Sequence, residues 1–180
     1  EPCRYTEMTG KEILEKLNPS YRRVTLTGGE PLIAEGAADL VNLMMQNGFE
    51  VNIETNGAAA LRPFEERLKD REKLFYTIDY KLPSSGMEEK MLWENFLLLE
   101  ERDVIKFVVG DERDTKVMLD VLSRLSAQRA SMPHLFIGAV YGSYDAQKLV
   151  DLILSEPLLR NARFQVQLHK MIWDPDKRGV

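Results

Sequence analysis

Short apolar runs alternate along the chain with longer segments whose apolar residues recur at helical spacing. The runs are rich in β-branched and aromatic residues, and they predict six strands, at residues 21–27, 49–55, 74–79, 104–109, 135–140 and 164–168. Runs that are almost continuously apolar, such as 104–109, are typical of parallel strands covered on both faces. Repeated βα units imply an α/β fold with a parallel sheet and right-handed crossovers. The pattern leaves open whether the sheet is doubly wound or forms a partial barrel.

The segments between these runs carry helix signals. In segment 36–48 an apolar stripe is followed by Gly48, which predicts a glycine-ended helix. Acidic residues open the helix after the fourth run, where the helix dipole favours negative charge, and Asp145 is a candidate N-cap for the next helix. The stripes are Leu40, Val41 and Met44; Met91, Leu92, Phe96 and Leu99; Val117, Val121, Leu122 and Leu125 after Asp111, Glu112 and Asp114; and Leu149, Val150, Leu152 and Ile153.

Composition describes a globular chain with an acidic balance. The 180 residues are 44% apolar and 29% charged, which fits one domain, residues 1–180, with a hydrophobic core. The net charge of −5 argues against nucleic-acid partners and anionic membranes, because both favour basic surfaces. One cysteine excludes an internal disulfide framework, and no apolar run is long enough to cross a bilayer. We therefore expect a cytoplasmic protein without a membrane partner.

Polar residues collect where the predicted strands end. Gly28, Gly29 and Glu30 follow the first strand, and 54–57 close the second. The paired glycines leave room for close approach by a ligand, and Glu30 suits an ammonium group. An ordinary tight turn with a surface acid is the alternative. Asn-Gly at 56–57 is by itself a hairpin signal, but a helix-like segment follows it, which favours a βα loop. Further polar residues follow at 79–85 and 138–143, at the end of the sheet where α/β folds bind ligands.

These motifs carry a family resemblance. Gly-Gly-Glu-Pro at 28–31 with Glu-Thr-Asn-Gly at 54–57 resembles the radical S-adenosylmethionine (SAM) superfamily. Asp-Tyr-Lys-Leu-Pro-Ser-Ser-Gly-Met at 79–87 and the terminal segment 167–180 resemble, more narrowly, the 7-carboxy-7-deazaguanine synthases, over nearly the whole chain. The resemblance implies a partial (β/α) barrel of the radical SAM type. In that family a first strand and a cluster loop come earlier, so we expect this chain to lack both and 21–27 to form an exposed sheet edge.

The resemblance also implies roles for individual residues, transferred by motif position. The cofactor set is Gly28, Gly29 and Glu30 at the amino end of SAM, Gly57, and two adenosine-contacting loops formed by Leu82, Pro83 and Ser84 and by Gly138, Ala139, Val140 and Tyr141. Relatives often have cysteine at the position of Leu82 and proline at that of Ala139. The substrate set is Thr55, His169 and the terminal carboxylate of Val180. For His134 and Trp173 a structural role is favoured.

The implied reaction contracts 6-carboxy-5,6,7,8-tetrahydropterin to 7-carboxy-7-deazaguanine with loss of ammonia, on the route to queuosine and related 7-deazapurines. The enzyme would be a carbon–nitrogen lyase. A reduced 4Fe-4S cluster would cleave SAM to a radical that removes hydrogen from the pterin, and magnesium would assist substrate binding. The implied partners are the small-molecule pterin and a flavodoxin- or ferredoxin-type reductant, and the family allows a homodimer.

One departure from the family pattern is serious. The cluster-binding segment, commonly Cys-x3-Cys-x2-Cys, is absent, and Cys3 is the only cysteine. A single thiolate cannot hold a four-iron cluster. We therefore expect the cluster and magnesium ligands upstream of residue 1, no catalytic residue or metal ligand in these residues, and no activity from the 180-residue chain alone. The alternatives are a glycyl-radical-enzyme activase and a cluster-free binding domain that keeps the fold.

Overall fold

A six-stranded parallel sheet forms the centre of the molecule. The computed structural model describes residues 5–174 and 177, without the side chain of His169. The strands are β1 (Arg23–Leu26), β2 (Glu50–Thr55), β3 (Leu74–Tyr80), β4 (Val104–Val109), β5 (His134–Ala139) and β6 (Ala162–Gln165). Each strand pairs in parallel with the next, and their spatial order is their chain order.

This order distinguishes the two architectures that the sequence leaves open. A doubly wound sheet reverses its direction of growth at a switch point, whereas this sheet grows one way from β1 to β6. One-way winding is that of a (β/α) barrel, and the described sheet is open, so the prediction of a partial barrel is confirmed. Within the described residues β1 pairs only with β2, which places 21–27 at a sheet edge as predicted.

Helices and short turns connect the strands. The α-helices are α1 (Gly10–Lys16), α2 (Ala37–Gln46), α3 (Leu61–Glu65), α4 (Trp93–Leu98), α5 (Glu112–Gln128), α6 (Ala146–Ser155) and α7 (Leu168–Ile172). The 3-10 turns Pro31–Ile33 and Pro83–Ser85 follow β1 and β3. No helix in the described part of the chain is long and apolar enough to span a bilayer.

The helix ends follow the predicted chemistry, with one correction. Asp111 accepts hydrogen bonds from the first amides of α5, and Asp145 does the same for α6. Gly48, at φ 92°, ends the α2 segment in the left-handed region that glycine tolerates. The stripe that begins at Met91 and Leu92 is only partly helical, because α4 starts at Trp93 and those two residues precede it.

The sheet has one covered and one open face. In β4, Ile105, Phe107 and Val109 are fully buried in the core, whereas Val104, Lys106 and Val108 are half-buried. The prediction that this strand is covered on both faces is therefore wrong. Its run looks continuous because valine also occupies the open face, and only Lys106 reveals the alternation.

The sixth strand and the segment after it also differ from the prediction. The predicted strand was 164–168, but β6 is Ala162–Gln165 and Leu168 begins α7. The apolar residues alternate at Phe164, Val166 and Leu168, which is the pattern of a strand. The backbone pairing with β5 nevertheless ends at Gln165. Trp173 is 43% exposed, so the structural role favoured for it, as a side chain packed in the core, is wrong.

Candidate functional site

The turn after β1 is an open glycine turn. Gly28 and Gly29 have φ values of 90° and 54°, in the region that side chains with a Cβ rarely adopt. A Cβ added to either residue would meet no atom within 4 Å. The backbone conformation, and not crowding, therefore requires glycine here, and the space beside the turn remains accessible to a ligand.

Glu30 joins this turn to the end of β2. Its Oε1 accepts hydrogen bonds from the Thr55 hydroxyl at 2.8 Å and the Leu32 amide at 3.2 Å, and its Oε2 accepts from the Asn56 amide at 2.9 Å. A carboxylate has about four lone-pair sites, so one acceptor position remains after these three bonds. Glu30 thus fixes the loops of two strands and keeps the capacity to accept from one ligand ammonium group.

Thr55 has less freedom than a substrate-contacting hydroxyl would need. It is 5% exposed, and it donates its hydroxyl hydrogen to Glu30. Only the lone pairs of its oxygen remain for another partner, which must then be a donor. The neighbouring Glu54 is exposed and accepts a long bond of 3.4 Å from the hydroxyl of Thr27.

Gly57 is explained by packing within the protein. A Cβ at this position would lie 2.6 Å from the carbonyl oxygen of Asp79, 3.2 Å from Met91 Sδ and 3.3 Å from Phe96 Cζ. Asn95 donates to the carbonyl of Gly57 at 3.1 Å, which holds the loop in place. Glycine therefore lets the loop after β2 close against the end of β3. This contact accounts for the residue without a ligand.

The loop after β3 is held by Asp114, for which the sequence predicted only a favourable interaction with the helix dipole. Asp114, in the first turn of α5, accepts from the Ser84 amide at 2.9 Å and from its hydroxyl at 2.5 Å. Asp114 is fully buried. The sequence spacing indicated this burial, because Asp114 stands four residues before buried Met118 and therefore lies in the apolar stripe of α5.

Two predicted cofactor loops line one cavity. A cavity of about 350 Å³ lies at the carboxyl ends of β3, β4 and β5, and Leu82, Ser84 and Val140 are in its wall. Gly138 is not in the wall. A Cβ added to it would lie 2.7 Å from the carbonyl oxygen of Gln165, so packing against β6 accounts for the glycine. Tyr141 is 54% exposed. The structure thus brings together part of each predicted loop.

The same cavity contains three charged side chains. Lys81 Nζ lies 2.6 Å from one carboxylate oxygen of Asp79, and Lys106 Nζ lies 3.9 Å from the other. Lys106 was not among the predicted site residues, although a lysine inside the apolar run of β4 was the available signal. These groups give the cavity a polar, net positive part of its lining.

Other candidates lie elsewhere or outside the described residues. His134 begins β5, at the opposite end of the strand from Val140, and it lines a separate depression with Pro157 and Arg160. Val180 and Cys3 lie outside the described residues, and for His169 only the backbone position within α7 is described. Within 5–174 and 177, no group of three His, Cys, Asp or Glu residues could hold a metal ion.

Sequence comparison decides the family. The 7-carboxy-7-deazaguanine synthase of Clostridium acetobutylicum is 39% identical over 179 residues, which cover 98% of this chain and 78% of that protein. The chain belongs to the 7-carboxy-7-deazaguanine synthase family. Another 7-carboxy-7-deazaguanine synthase, from Leptospira interrogans, is 31% identical over 190 residues, covering 97% of the chain and 75% of that protein. A scan against protein-family models finds no match.

This member of the 7-carboxy-7-deazaguanine synthase family is also similar in fold to solved structures. QueE from Escherichia coli superposes with a TM-score of 0.63 at 24% identity, over 87% of this chain and 62% of that one. SuiB from Streptococcus suis, solved with bound S-adenosylmethionine, gives a TM-score of 0.55 at 13% identity, over 79% of this chain and 36% of that one. At these identities the similarity supports the fold.

Proposed function

We propose that these residues form the SAM- and pterin-binding part of a 7-carboxy-7-deazaguanine synthase. The substrate would be 6-carboxy-5,6,7,8-tetrahydropterin, and the reaction would release ammonia. The observation that carries the proposal is the 39% identity to the Clostridium acetobutylicum synthase over 98% of the chain. The accessible glycine turn and the cavity at the same end of the sheet support it.

The methionine end of SAM would lie against the turn after β1. Its ammonium group would donate to the remaining acceptor position of Glu30, and the accessible side of Gly28 and Gly29 would admit the ligand. A charge-assisted hydrogen bond of this kind contributes about 1.5–3 kcal/mol. The residues present therefore fit this end of the cofactor, and when bound SAM would supply the radical precursor.

The adenosine end would occupy the cavity between the loops after β3 and β5. Its volume of about 350 Å³ lies at the lower end of the range typical of small-molecule sites, about 300–1,000 Å³. Leu82 and Val140 provide apolar contact, and Ser84 is fixed by Asp114. Asp79 and Lys81 offer an acceptor and a donor for ligand hydroxyl groups.

The pterin would lie next to the methionine end of SAM. Thr55 is bonded to Glu30, so a substrate contact at Thr55 would adjoin the ammonium site. Contacts from His169 and from the carboxylate of Val180 belong to the proposal, as do a flavodoxin- or ferredoxin-type reductant and a homodimer. The chain residues that we assign bind, orient and exclude water around the two ligands.

The residues present do not fit the 4Fe-4S cluster. The chain contains one cysteine, whereas such a cluster requires several thiolate ligands. No step is therefore assigned through the cluster, and the magnesium site likewise has no ligand group within the described residues. The missing cysteines are also the only support for a cluster-free binding domain, and a glycyl-radical-enzyme activase has no support from the relatives.

Calorimetry tests the binding proposal. SAM and the tetrahydropterin are titrated separately into the 180-residue chain. An unfolding curve in the same buffer shows that the chain is folded under these conditions. We expect SAM to bind saturably, and we expect methionine alone to compete only weakly with SAM. Absence of SAM binding by the folded chain would contradict the proposal.

A second experiment tests the cluster prediction. After anaerobic reconstitution with iron and sulfide, we expect the 180-residue chain to form no 5′-deoxyadenosine. Stoichiometric cluster binding with SAM cleavage would show that the prediction is wrong. Reading the coding sequence upstream of Glu1 separates the two remaining functions, because a cysteine triplet there supports the enzyme and a start codon near Glu1 supports the binding domain.

A further inference from the structure

A fully buried aspartate links three loops at the carboxyl end of the sheet. Asp114 accepts from the amide and the hydroxyl of Ser84, in the loop after β3, at 2.9 and 2.5 Å. It also accepts from the amide of Gly110, at the end of β4, at 2.7 Å. The carbonyl of Gly110 in turn accepts from the hydroxyl of Ser143, in the loop after β5, at 3.0 Å.

The fit at Gly110 is close. A Cβ at this residue would lie 2.5 Å from Ser84 Oγ and 3.0 Å from Ser84 Cβ. The two loops therefore approach as closely as a residue without a side chain permits. Ser84, Gly110 and Ser143 all line the cavity of about 350 Å³, so this chain of hydrogen bonds runs along its wall.

Asp114 is not the N-cap of α5. The N-cap of that helix is Asp111, whose carboxylate already accepts from the amides of Arg113 and Asp114. A buried carboxylate is costly unless its hydrogen bonds are satisfied. Here the donors that satisfy it come from the loops after β3 and β4, which is where the cavity wall is formed.

We propose that Asp114 is a positioning residue for the adenosine part of SAM. It fixes the turn Pro83–Ser85 and, through Gly110 and Ser143, sets the distance between the two walls that contact the nucleoside. This inference rests on the proposed function, because it takes the cavity to be the adenosine site. Asp114 acts through Ser84 and Gly110 and does not line the cavity.

The test compares SAM affinity with stability in four proteins: wild type, Asp114→Asn, Ser84→Ala and the double variant. Asparagine keeps one acceptor oxygen, so either the Ser84 amide loses its acceptor, or the Ser84 hydroxyl and the Gly110 amide, which share Oδ2, both lose theirs. We expect the Kd for SAM to rise at least tenfold in Asp114→Asn and less in Ser84→Ala. The Kd of the double variant should exceed that of Asp114→Asn by a smaller factor than Ser84→Ala produces in the wild-type protein. The reason is that both changes break the same linkage.

Asn42→Ala is the control for a purely structural effect. Asn42 is buried and bridges Arg67 and Lys69, away from the cavity. This variant should unfold at lower urea concentration and keep the wild-type Kd for SAM. If Asp114→Asn behaves in the same way, the proposal is overturned.

Hydrogen exchange of the unliganded proteins separates this inference from the proposed function. We expect amides in 82–86 and 140–144 to lose protection together in Ser84→Ala and in Asp114→Asn. Loss confined to 82–86 would overturn the linkage between the walls. If the wild-type chain binds no SAM, the proposed function fails and so does the adenosine role, whereas the exchange data still decide whether the loops are coupled.

Discussion

The hydroxyl of Thr55 donates a hydrogen bond of 2.8 Å to the carboxylate of Glu30. The family resemblance implied a cofactor contact for Glu30 and a substrate contact for Thr55, as separate roles. The structure joins them, because the loops after β1 and β2 meet at the same end of adjacent parallel strands. A change at either residue is therefore expected to reach both ligands.

Glu30→Gln should weaken SAM binding about ten- to a hundred-fold, the equivalent of a lost charge-assisted contact of about 1.5–3 kcal/mol. The affinity for the pterin should change less. Calorimetry on the 180-residue chain measures both. Glu35→Gln is the matched control, since Glu35 is an exposed acid in the same loop. Equal SAM affinity in Glu30→Gln and wild type would leave Glu30 with a structural role only.

Thr55→Val keeps the shape of the side chain and removes its donor. We expect a loss of about 1 kcal/mol in the free energy of unfolding. Combined with Glu30→Gln, the effects should be non-additive by about 0.5–3 kcal/mol, as is usual for directly bonded residues. Urea unfolding of the wild type, both single variants and the double variant measures this coupling. Additive losses would show that the 2.8 Å bond contributes little.

The pairing of the edge strand β1 should depend on pH. Arg23 Nε donates to Glu50 at 2.8 Å across the β1–β2 register, and this bond lowers the pKa of Glu50. A lowered folded-state pKa gives stability that is present above the unfolded pKa and is lost as the pH falls through the folded pKa. Glu50→Gln should therefore lower the melting temperature slightly at pH 7, and this difference should shrink as the pH is lowered through the acid range. Exposed Glu7→Gln, measured over the same pH series, should leave the melting temperature unchanged.

The sequence predicted the features that depend on local periodicity. Strand β4 was predicted with the bounds that the structure shows, and Asp145 was predicted as an N-cap, because each signal lies within a few residues. For Asp111 the sequence indicated only an acidic helix start, and the structure shows that it is the N-cap of α5. The glycine turn at 28–29 and its acid Glu30 were also found from sequence, through a motif that marks a strand's end.

The missing parts depend on contacts between distant residues. Asp114 bonds to Ser84, which lies thirty residues earlier, so its acidic position at a helix start concealed a role in another loop. Lys106 meets Asp79 only through the β3–β4 register. The end of β6 is set by where its backbone pairing with β5 ends. The alternation of Val166 and Leu168 carries no information about that pairing.

A substitution at Gly57 tests whether close packing or backbone conformation requires glycine at this position. An alanine there must adopt φ 78°, and its Cβ must lie 2.6 Å from the Asp79 carbonyl oxygen, which belongs to the backbone of β3. Gly86 offers the matched control, since it has φ 67° but nothing within 4 Å of an added Cβ. Gly86→Ala should therefore show the conformational cost alone, about 1 kcal/mol in the free energy of unfolding. Gly57→Ala should lose about 2–4 kcal/mol, since overpacking adds about 1–3 kcal/mol to that cost. Equal losses in urea unfolding would mean that the loop after β2 moves freely away from β3, and that the close contact is not needed to hold the carboxyl ends of the two strands together.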